Sequence, residues 1–129
     1  KVMTCEKRQK YLRDKLPTLT KLEKSGDPEE YTENAKNFLG MLRSAWEKAV
    51  EDKLLGGVIH RFNPEVHTKK LDEVRVTPAF IESVHEGMTM CSKWVHDQAY
   101  AINAPVPTAA ELTAQLDRYK DLLDAFKAQ

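Results

Sequence analysis

The stretch YTENAKNFLGMLRSAWEKAVEDKL, residues 31–54, decides the fold. Tyr31, Ala35, Phe38, Leu42, Ala45, Trp46, Ala49, Val50 and Leu54 recur mostly at steps of three and four. That period puts them on one face of an α-helix, with the charged residues on the other. Upstream, Ser25-Gly26-Asp27-Pro28 reads as a turn. Asp27 is an N-cap residue and Pro28 fits the first helical position. Downstream, Gly56-Gly57 weakens the helix, yet Val58, Ile59 and Phe62 continue its stripe. The helix therefore runs on to Phe62, or Val58–Phe62 is a short strand. Asn63-Pro64 ends either one.

The same period organises the rest of the chain. Leu12, Leu16, Leu19 and Leu22 predict a first helix, which Pro17 should stop or kink near Leu16. Residues 64–76 are the least periodic and read as a loop with one helical turn. Thr77-Pro78 opens a further helix, expected to last to about Ala101. Its buried side is Phe80, Ile81, Val84, Met88, Cys91 and Val95. Asn103–Pro107 is a rigid, extended linker. Thr108 and Glu111 form a capping box before Leu112, Leu116, Tyr119, Leu123 and Phe126, the apolar stripe of a last helix. The expected fold is all-α, a bundle of four to five helices. Residues 1–26 form an N-terminal helical arm and 27–129 the bundle, one compact domain overall.

An apolar fraction of 41% against 31% charged residues suits a globular domain that buries a core. The 20 basic and 20 acidic residues cancel, which removes any general reason to expect nucleic-acid or membrane binding. The charge is uneven, however: residues 1–26 hold eight basic and three acidic side chains. That is a solvated helix face or a surface for an acidic or polyanionic partner. No stretch is apolar enough to span a membrane and no secretory signal is visible, so a cytoplasmic, reducing setting is expected. The chain starts at Lys1, which suggests a fragment or a processed product. Cys5 and Cys91 form neither a disulfide framework nor a zinc-site spacing and read as buried, inert thiols.

The chain has no Gly-rich phosphate loop, so it cannot hydrolyse ATP alone, and no HExxH or GxSxG. No cofactor or metal is expected. His60, His67, His85 and His96 lack tight ligand spacing; on one helix His85 and His96 would stand about 16 Å apart. Two clusters remain. Arg43, Glu47 and Glu51 step by four beside Trp46, with Arg61 further on, and read as a salt-bridge ladder facing water. Cys91-Ser-Lys-Trp-Val-His-Asp97 pairs His96 with Asp97, as a polar core network or as a general acid/base with its orienting carboxylate. If the two segments meet, Arg43, Glu47 and His96 supply what metal-free RNA cleavage requires: a base, an acid and a cation for the phosphorane.

The runs Leu42–Glu51, Leu55–Pro64, Glu86–Trp94 and His96-Asp-Gln-Ala99, with the Pro-Val-Pro linker and final helix, resemble the C-terminal end of large bacterial AAA/ABC-type P-loop ATPases. The resemblance covers roughly residues 40–128. Those proteins often carry long coiled coils and are similar to the ATPases of anti-phage systems, tRNA anticodon nucleases included. The first forty residues would then be the tail of a coiled-coil arm. The nucleases are implied to cut with an Arg-x-x-x-Glu pair and a downstream His. Arg43 and Glu47 match that pair, and His96, next to Asp97, is favoured over His85, though neither offset follows the family pattern. The expected function is an effector or interaction module of a defence-type ATPase. The alternatives are a metal-independent ribonuclease acting on tRNA, and a structural bundle that caps a coiled coil or forms a homo-oligomer.

Overall fold

The computed structural model describes residues 3–94 and 105–128 and is 76% helical with no strand among them. Among the described residues four α-helices make the bundle: α1 (Cys5–Ser25), α2 (Pro28–Ala49), α3 (Pro78–Ser92) and α4 (Ala109–Lys127). A π-helical turn, Val50–Leu54, extends α2, and a 3-10 segment, Thr68–Glu73, interrupts the stretch before α3. The expected all-α bundle is what forms. Its helices begin where the caps direct. The Asp27 carboxylate accepts from the amides of Glu29 and Glu30, and the Thr77 hydroxyl from that of Phe80. At α4, the Thr108 hydroxyl accepts from the Glu111 amide while the Glu111 carboxylate accepts from the Thr108 amide.

α2 is the central element, touching α1, α3 and α4, and α1 and α3 each also pack against α4. Trp46 of α2 is fully buried. Its ring meets Tyr119 of α4 edge-on, centroids 5.1 Å apart at 85°, and the Tyr119 hydroxyl donates to the Ala45 carbonyl at 3.0 Å. Gly87 of α3 also lies against the indole, so close that a Cβ there would stand 2.2 Å from it. Phe80 of α3 stacks on Phe126 of α4 at 4.3 Å. α1 and α4 run antiparallel: Arg13 pairs with Asp117 at 2.6 Å, and Glu23 near the end of α1 accepts from the Ala109 amide at the start of α4.

Four sequence expectations are corrected. Pro17 does not stop the helix or divide it in two; α1 is one helix of 21 residues. Leu12, Leu16 and Leu19 are buried on both sides of Pro17, so the helix is held from outside by its neighbours. Pro17 itself faces solvent, where water can satisfy the carbonyl it leaves unpaired. Residues 58–62 are neither helix nor strand. Gly56 and Gly57 both take positive φ, +58° and +82°, and turn the chain back; at Gly56 a Cβ would lie 2.8 Å from Glu73. α3 ends at Ser92 rather than near Ala101, followed by a turn at Lys93 and Trp94. Its core face holds Gly87, while Ile81 is exposed. The short helical piece expected within 64–76 is present as the six-residue 3-10 segment Thr68–Glu73, two turns rather than one. Val95 and the first part of the Asn103–Pro107 linker lie outside the described residues.

Cys5 and Cys91 are free and buried, as expected. Burial pushes both thiols up, Cys91 to about 12. Neither should therefore react with iodoacetamide at pH 8 in the folded protein. For Cys91 the thiolate population falls on the order of 1,000-fold below that of a free cysteine, before access is counted. Mass spectrometry should find both alkylated only after denaturation, and rapid native labelling of either would contradict the buried assignment. Gly87→Ala should destabilise by about 1–3 kcal/mol despite better helix propensity, because the fully buried Trp46 cannot retreat. A melting temperature lower by roughly 5–10 °C is expected by circular dichroism. An unchanged value would mean that Trp46 is not seated on α3.

Candidate functional site

Arg43 and Glu47 lie one turn apart on α2, on the side that leaves the core, and both are half-buried. The Arg43 Nε donates to the Ser92 hydroxyl at 3.3 Å, which ties the middle of α2 to the end of α3. Its Nη1 lies 3.7 Å from Glu47 Oε1. The other Glu47 oxygen, Oε2, receives Arg61 Nη2 at 2.8 Å. Glu47 is thus bridged between two guanidinium groups, one from its own helix and one from the returning loop. Each of its oxygens faces a guanidinium group.

The ladder does not continue to Glu51 as its four-residue spacing predicts. After Ala49 the backbone widens into a π turn, with Leu55 N–H bonded to Val50 C=O at 2.9 Å and Gly57 N–H to Glu51 C=O at 2.8 Å. Glu51 instead accepts from the Arg61 backbone amide, and Lys48 lies 4.0 Å from it. Lys48 also pairs with Asp52 at 3.3 Å. The Gly56-Gly57 reversal then brings His60 back over the π turn, its Nδ1 3.8 Å from Asp52. Phe62 comes next at φ +67° and is 96% exposed, with Arg61 5.9 Å from its ring. Lys48, Glu51, His60, Arg61 and Phe62 line a hollow of about 510 Å³, bounded across the bundle by Arg8 of α1. A larger groove between α1 and α2, about 1160 Å³, shares Arg8 and Ser44 with it.

Of the sequence-derived site residues, Arg43 and Glu47 are therefore together and in contact. His96 and its orienting partner Asp97 lie outside the described residues. His85 is exposed on α3, in a shallow depression beside Arg118 of α4. Helical spacing does not single out Lys48, Asp52 or His60, and it places Phe62 in a buried stripe. Paired glycines after an acidic helix end were the available signal: two adjacent positive-φ positions reverse a chain and fold the residues after them onto the residues before them. No helix among the described residues is long and apolar enough to cross a membrane. No family model matches the chain, and neither a curated protein nor a solved structure is significantly similar to it.

Proposed function

We propose that this chain is a helical interaction module that works with a P-loop ATPase of the anti-phage kind, in a cytoplasmic setting, without nucleotide hydrolysis of its own. One observation carries the reading. Ile59, Phe62, Val66, Leu71 and Val76 are all exposed, and all lie on the segment between the π turn and α3. Elsewhere among the described residues only Met3, Tyr11 and Ile81 are exposed large apolar side chains. Five exposed apolar side chains on one connecting segment support a surface that another protein covers. The resemblance to ATPase C-terminal regions is what points to such an ATPase as the partner. The doubly bridged Glu47 supports a structural role for the Arg43–Glu47–Arg61 set.

A ribonuclease reading has one observation in its favour: Arg43 reaches Ser92, four residues before His96 in sequence, so the end of α3 meets the Arg-Glu pair. In that reading Arg43 and Arg61 would stabilise phosphate charge, and Glu47 and His96 would share the acid and base roles.

The tagged chain should capture a P-loop ATPase from extract of the source cells, and Phe62→Asp with Leu71→Asp should abolish capture without altering the circular dichroism. Capture that survives both substitutions, or that yields no P-loop ATPase, overturns the interaction reading. For the second reading, total tRNA should be cut in the presence of EDTA, and Arg43→Ala or His96→Ala should slow cutting by at least about 100-fold. Intact tRNA after incubation with the chain and its ATPase together removes it.

A further inference from the structure

We propose that Glu51, Asp52 and His60 form a binding site for a divalent transition-metal ion of the zinc class. The three residues each offer one ligand atom, and these atoms lie within 4.8 Å of one another. Carboxylate and imidazole ligands surround such an ion at about 2.0–2.2 Å. Ligand atoms at those distances stand at most about 4.4 Å apart, so side-chain rotation must tighten the triangle onto the ion. One imidazole nitrogen with two carboxylate oxygens suits zinc, cobalt or nickel better than calcium or magnesium, which take oxygen ligands alone.

The backbone builds the cluster. The π turn presents the consecutive acids Glu51 and Asp52 together, and the two left-handed glycines return His60 onto them. Two of the prospective ligands are held by further contacts. Glu51 accepts from the Arg61 amide through Oε1. His60 turns Nδ1 to Asp52, while its Nε2 lies over Gly57, at 3.4 Å from where a Cβ would stand. The His67 ring packs edge-on against His60 with centroids 5.8 Å apart, which limits the imidazole's rotation. Such supporting contacts orient ligands and raise affinity. The Lys48 ammonium lies near both carboxylates, 4.0 Å from Glu51 and 3.3 Å from Asp52. It holds the positive charge there when no ion is bound, and a metal ion must displace it. With three protein ligands the ion keeps open positions for water or a partner's side chain. Bound metal would pin the return loop that carries Phe62 to the end of α2.

The experiment is calorimetric titration of the EDTA-treated chain with Zn2+, Co2+, Ni2+ and Ca2+, with melting temperatures in parallel. Expected are one equivalent of Zn2+ bound and a raised melting temperature. His60→Ala and Asp52→Asn should each weaken binding by at least about 10-fold. Lys48→Met should strengthen it severalfold by removing the competing ammonium, and His85→Ala should leave it unchanged. In the unaltered chain Zn2+ should protect His60, and not His85, from diethylpyrocarbonate, as read by mass spectrometry. This readout holds if a variant fails to fold. No binding at about 100 µM Zn2+ (on the order of 5 kcal/mol of affinity), affinity indifferent to His60→Ala, preference for Ca2+, or unprotected His60 would each overturn the assignment.

Discussion

The contact between Trp46 and the bare backbone of Gly87 sets the geometry of the bundle. It fixes how closely α2 and α3 approach, and Tyr119 of α4 closes edge-on over the same indole. Three helices therefore meet at one side chain. The indole N–H finds no acceptor among the described residues, which costs about 1–3 kcal/mol. Burying a large aromatic side chain removes about 150–250 Å² from water, on the order of 4–6 kcal/mol, so burial wins. Arg43 can reach Ser92 because α3 already lies this close.

A second constraint acts one turn further along α2. A helix that kept its regular winding would present Arg43, Glu47 and Glu51 as one exposed ladder, worth tenths of a kcal/mol per pair. The π turn begins at Val50, and the acids before and within it take largely different side-chain partners, while the Arg61 amide and guanidinium touch both sets. Glu47 goes to the arginines, and Glu51 and Asp52 go to Lys48 and His60. Two polar neighbourhoods with different chemistry thus arise within a short stretch of one helix. Such insertions recur at functional sites because they turn adjacent side chains toward different surroundings.

The sequence was most legible where a local side chain satisfies a local backbone group. Asp27, Thr77 and the Thr108–Glu111 box begin their helices as their types require, since a cap bonds only to residues two or three positions away. The stripe from Tyr31 to Leu54 also translated directly into a buried face. Three features were illegible because they depend on distant neighbours. Pro17 reads as a breaker until α2 and α4 are there to hold the leucines around it. Gly87 reads as a weak helix position until Trp46 comes to fill its space. The π turn has no residue signature at all. The Arg43–Glu47 pair was readable from its spacing, but the loop partner Arg61 and the return of His60 over Asp52 depend on the φ values of Gly56 and Gly57.

The antiparallel pairing of α1 with α4 has a mechanical consequence. Arg13 faces Asp117 and Glu23 faces Ala109, so the beginning of α1 and the finish of α4 emerge at the same pole of the molecule. Tension transmitted through both would peel the two helices apart one turn at a time, like a zipper opened from its loose end. The contacts would yield in succession rather than share the load. A load applied at that pole would open the α1–α4 pair with less force than the same contacts would resist in shear.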